Sequence, residues 1–115
     1  MKEYYGKIQY KGKDYTLACN LNALEAIQEE YGTIDEWGSL TDGDTGEVNI
    51  KALIFGVREM INEGIDIENE ENGTDIPHMT EKQVGRMISE VGIAETTEAM
   101  HGAVEQSTQS DEKNA

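Results

Sequence analysis

The sequence predicts an α+β fold, predominantly α-helical, in which an N-terminal β-hairpin is followed by four to five short helices. Three observations predict it. Apolar residues alternate along the first stretch of chain, later stretches carry apolar stripes at spacings of three and four, and polar caps and glycines bracket those stripes. At 115 residues the chain suits one domain with one modest core. That domain is expected over 1–106, with 107–115 a disordered polar tail, because "STQSDEKNA" is small and polar throughout.

The hairpin comes first, over 4–19. Tyr4, Ile8 and Tyr10 fall on even positions, and Tyr15, Leu17 and Cys19 on odd ones. With Lys11 and Gly12 as the turn, Tyr10 pairs with Lys13, Ile8 faces Tyr15 and Tyr4 faces Cys19, so the apolar faces agree. A lone hairpin is marginal in water, which requires this one to lie on helices.

Asn20 is a suitable cap for a helix over 21–31 that ends at Gly32. Thr33 and Glu36 have capping-box spacing and open a short helix over 34–38 with Ile34 and Trp37. Asn49 caps the clearest helix, 50–63, which carries Ile50, Leu53, Ile54, Val57, Met60 and Ile61 on one stripe and is stopped by Gly64. Phe55 lies off that stripe, so it either completes a second packing surface or contacts a partner. Residues 65–79 lack a helical period, hold the only proline, and read as an extended loop. Thr80 and Gln83 open a helix over 81–91 with Val84, Met87 and Ile88 inward and Gly92 as its stop. The weaker stripe of Ile93, Thr97, Met100 and Val104 predicts a last helix over 94–106.

Composition narrows the function. A net charge of −15 from 24 acidic and 9 basic residues argues against nucleic acid, whose phosphates require clustered Lys and Arg. No apolar run approaches the ~18 residues of a membrane span. "MKEYYGKIQY" is charged where a signal peptide needs an apolar core. The expectation is a soluble, cytosolic protein. Cys19 is the only cysteine and alternates with Tyr15 and Leu17, which reads as a small buried hydrophobe.

The sites that would carry chemistry are thin. "TDGDTGEVNI", Thr41 to Ile50, looks like a calcium loop, but counted from Asp42 it puts Gly46, Glu47 and Leu53 where a fifth-position ligand, a glycine and a bidentate glutamate are needed. His101 and Glu105 stand four apart without a further ligand at metal spacing, and His78 sits beside Pro77. No nucleophile with a base and no phosphate loop is visible. No catalysis, metal or cofactor is expected. Methionine points elsewhere: Met60, Met79, Met87 and Met100 are adaptable side chains in a chain with one Phe and one Trp. Met60 and Met87 lie on inward stripes, which favours core filling, whereas Met79 and Met100 are freer to meet a partner.

Taken in order, a hairpin running into "LNALEAIQEEYGTIDEW", an acidic gap, "NIKALIFGVREMINEG", a T-x-x-Q helix and a polar tail resemble the small tail assembly chaperones of long-tailed, siphovirus-type bacteriophages and prophages of Gram-positive hosts, over roughly residues 5–105. The acidic stretch Glu68 to Asp75 departs from that pattern. The resemblance implies a non-catalytic protein of the host bacterial cytoplasm that forms a homo-oligomer, binds the tape measure protein and is absent from the mature virion. It implies also a longer form, made by programmed frameshifting, that recruits the tail tube protein. Glu112-Lys113-Asn114 is compatible with the slippery codons A AAA AAC. On this reading Phe55, Met60, Met87 and Met100 supply apolar contact to partners. The alternative class is a small acidic phage structural or regulatory binding protein of head–tail joining type, which would remain in the particle.

Overall fold

The computed structural model describes the backbone of residues 5–43 and 46–114 and the side chains of 6–43 and 46–107. The fold is α+β and mostly helical, as expected: β1 (Tyr5–Tyr10), β2 (Lys13–Ala18), α1 (Leu21–Tyr31), α2 (Ile34–Thr41), α3 (Ile50–Asn72), α4 (Glu81–Val91) and α5 (Ile93–Asn114).

The strands pair antiparallel with Tyr10 opposite Lys13 and Ile8 opposite Tyr15, the register the alternation predicts. The expected pairing of Tyr4 with Cys19 lies outside the described residues. Lys11 and Gly12 both have positive φ, 53° and 73°, the signature of the two-residue turn whose twist matches the flanking strands. Leu17, Ala18 and Cys19 are fully buried, because helices pack on the hairpin from more than one side.

Each predicted N-cap is made. Asn20 Oδ1 accepts from the Ala23 N–H at 3.2 Å, and its Nδ2 donates to Glu63 at 2.8 Å, so one side chain starts α1 and ties it to α3. Thr33 accepts from the Glu36 N–H at 3.0 Å, and Asn49 from the Ala52 N–H at 3.0 Å. The capping box of α4 is complete: the Gln83 N–H donates to Thr80 Oγ1 and the Thr80 N–H to Gln83 Oε1, at 3.1 and 2.8 Å.

Three boundaries differ from expectation. Helix α2 runs to Thr41 rather than 38, and α5 runs on through Asn114, across a segment expected to be tail. Ser, Thr, Gln, Glu and Lys extend a nucleated helix at small cost, since elongation fixes few dihedrals per hydrogen bond. The largest difference is in α3. It does not stop at Gly64 but continues to Asn72 and ends on Gly73 in the left-handed region, φ 65°. Gly64 serves a close approach instead: a Cβ there would lie 2.7 Å from the Thr16 carbonyl oxygen, so the missing side chain lets α3 cross β2 backbone to backbone.

The extended stretch after α3, residues 74–79, runs back along that helix as a strap. The Asn69 side chain accepts from the Ile76 N–H at 2.9 Å and donates to the Ile76 carbonyl at 3.0 Å. Asn62 does the same with Met79, at 2.8 and 3.1 Å. Between them Asp66 pairs with the exposed His78 at 2.7 Å. The strap thus reverses the chain, so that α4 packs against the N-terminal half of α3.

The core joins Ile8, Leu17, Ile27, Trp37, Leu53 and Ile61 with the three methionines Met60, Met87 and Met100. Trp37 is buried, and its Nε1–H donates to the Ala52 carbonyl at 3.1 Å, which satisfies the ring's one polar group.

Candidate partner-binding groove

The groove forms where α4 lies against the start of α3. Asn49 begins α3 and the Thr80/Gln83 box begins α4, which brings Ile50, Leu53 and Ile54 of one helix opposite Gly85, Ile88 and Ser89 of the other. Gly92 ends α4, with its N–H donating to the Ile88 carbonyl, and Ile93 starts α5 at the groove's far end. The resulting depression is open to solvent and has a volume of about 740 Å³. Ile50 and Ile93 are 50% and 41% exposed, two of the four large hydrophobic side chains that stand out from the surface of the described residues. Gly85 keeps the floor low: a Cβ there would meet only the Ile54 Cδ1, at 3.6 Å. Glu81, Lys82 and Arg86 form the polar rim. Burial first, then the carboxylates of Glu30 and Glu81, push the Tyr31 phenol up.

A second cavity, of about 260 Å³, lies between β2, α3 and the strap. Ile61, Ile65, Ile76 and Met79 line it, with Lys13, Glu68 and His78 among its polar groups. It falls below the ~300 Å³ at which small-molecule sites begin and is continuous with the clasped strap.

The residues singled out for partner contact are distributed differently from expectation. Met60, Met87 and Met100 are each 0% exposed, so they fill the core and present no surface to a partner. The cause is compositional: with one Phe and one Trp, the interior needs flexible side chains to close its gaps. Phe55 is half-buried. Tyr31 meets it in an edge-on ring contact at 5.5 Å, and the Arg58 guanidinium lies 5.8 Å from its ring centre. It completes a second packing surface, between α3 and α1. Met79 packs partly against the core and is anchored through its backbone.

Residues considered for chemistry take structural positions. Cys19 is buried, and desolvation, partly offset by a hydrogen bond from Ser107, pushes its thiol up to about 11. At neutral pH it is therefore protonated and a poor nucleophile. The Thr41 hydroxyl donates to the Gly38 carbonyl at 3.1 Å, so its contact with His101 Nε2 at 2.8 Å is one in which the histidine donates. The His101 ring meets Trp37 edge-on at 6.3 Å, which makes it a joint between α5 and α2. Among the described residues no three of His, Cys, Asp and Glu gather as a metal site. Asp44 and Thr45 of the acidic loop lie outside those residues.

Two signals for the groove were present in the sequence: Lys82 and Arg86, four apart in an acidic chain, and isoleucines at the first positions of α3 and α5. Among the described residues, no helix is long and apolar enough to cross a membrane. No protein-family model, curated protein or solved structure matches the chain.

Proposed function

We propose that the chain is a tail assembly chaperone of a long-tailed phage or prophage, without catalytic activity, which covers an apolar helical stripe of the tape measure protein until tail tube subunits assemble around it. The observation that carries this reading is the uncovered apolar groove between α3 and α4, on a chain of net charge −15. A long amphipathic helix aggregates unless its apolar face is covered. A shallow groove of isoleucines covers such a face reversibly, while the acidic surface keeps the complex dispersed. The order of hairpin, caps and helices that resembles the chaperones supports the same reading. In this role the protein works in the host cytoplasm, associates with further copies of itself, and reaches the tail tube protein through a frameshifted longer form.

The test is expression of a tape measure protein from the same genome in the presence and absence of this chain. The expected result is a several-fold rise in soluble tape measure protein and a complex that survives gel filtration. Unchanged solubility, or recovery of the chain at stoichiometric amounts in purified virions, would overturn the reading in favour of a structural protein of the particle.

A further inference from the structure

The groove carries a local charge opposite to that of the molecule. The chain bears a net −15, yet its rim holds two cations, Lys82 and Arg86, against the single carboxylate of Glu81. Four residues apart, these cations stand one above the other on α4. Neither makes an ion pair among the described residues. Both are exposed, so no internal contact accounts for them. The floor beside them is apolar and, at Gly85, without a side chain. Helix α4 has 11 residues, about 16 Å at 1.5 Å per residue, so the groove accommodates about three turns of a docked helix.

We infer that the groove seats one amphipathic helix of a partner protein, its apolar stripe on the exposed Ile50 and Ile93 and the half-buried Ile54 and its flanking acidic side chains on Lys82 and Arg86. This deepens the reading of the groove as a cover for a helical stripe, and rests on it. The occupant's charge is what the geometry specifies. A basic-flanked helix is drawn to the acidic molecule at long range but is opposed at the rim. An acidic-flanked one is repelled at long range and held at the rim. At physiological ionic strength the long-range part is screened beyond about 8 Å, so the rim contacts decide. A second copy of the chain seated groove on groove would bring two basic rims together, which disfavours it as the occupant.

Two synthetic helical peptides with the same leucine stripe, one flanked by glutamates and one by lysines, separate these effects when titrated into the full chain by fluorescence anisotropy at 0.15 M NaCl. The glutamate peptide is expected to bind about 3- to 10-fold more tightly, the range for two exposed ion pairs. The Lys82→Glu/Arg86→Glu double variant is expected to reverse the preference. Gly85→Leu, which fills the floor and favours helix, is expected to abolish binding of both peptides while the circular dichroism melt remains cooperative. Tighter binding of the lysine peptide to the unaltered chain, or no change in the double variant, would overturn the inference. So would sedimentation showing oligomers that Ile93→Asp dissociates, since a second copy would then fill the groove. If neither peptide binds, the inference falls alone, and the chaperone reading falls only if tape measure solubility is also unaffected by co-expression.

Discussion

Asn69 and Asn62 show what single side chains do in this fold. Each uses its carbonyl and its amide on the backbone of one strap residue, Ile76 and Met79, as a neighbouring strand would. Asn69 also accepts from the Thr74 hydroxyl at 2.8 Å. Asn69→Ala leaves a half-buried N–H and C=O without these partners and is expected to cost about 1–3 kcal/mol. Asn72→Ala, at an exposed position on the same helix, should stay within about 0.5 kcal/mol. Urea unfolding of the two variants checks the difference, and equal midpoints would remove the clasp from the account. At this scale the sequence was legible in part. Asn and Thr as caps could be read because capping is local, within three residues. Asn62 and Asn69 could not, since their partners are 17 and 7 residues away. The burial of Met100 was hidden for a related reason: a weak stripe does not tell which surface will come down on it.

At the scale of elements, Gly64 and Gly102 sit in helices and look alike in the sequence. A Cβ at Gly64 meets the Thr16 carbonyl oxygen at 2.7 Å, whereas at Gly102 nothing lies within 4 Å. Gly102→Ala should therefore stabilise by about 0.5–1 kcal/mol through helix propensity. Gly64→Ala should destabilise by about 1–3 kcal/mol, because α3 must move away from β2. Thermal melts of both variants decide it; stabilisation by both would mean that the crossing is looser than described. The same ambiguity explains the misplaced end of α3. A glycine after an apolar stripe marks either a helix stop or a close crossing, and only the crossing strand distinguishes them. Beyond it, Ile65 continues the stripe four residues after Ile61, but the acidic residues that follow resemble a solvated loop. The groove was legible only as its parts. Ile54 and Ile88 read as inward-facing, and nothing in either stripe shows that the two helices leave a depression between them.

Across the whole molecule, charge dominates. The 24 acidic side chains outnumber the 9 basic ones, so pairs such as that of Arg58 with Glu59 leave a surplus of carboxylates. The surplus repels itself in the folded state and less in the expanded one. Raising NaCl from 0.02 to 0.5 M shortens the screening length to a few ångströms and is expected to raise the Tm by about 3–6 °C. Calorimetry across that series checks it, and a flat response would mean that the carboxylates are spaced widely enough not to matter.

The clasped strap also governs where this chain tolerates surgery. Residues 74–79 look like a convenient site for a tag or a cut, being extended and mostly exposed. Their backbone is held at two points by α3, and the strap delivers α4 to one wall of the groove, so an insertion there would displace that wall. The Lys11–Gly12 tip is the better graft point, since Gly12 has no neighbour within 4 Å of where a side chain would begin and the hairpin it closes is held by helices on its far end.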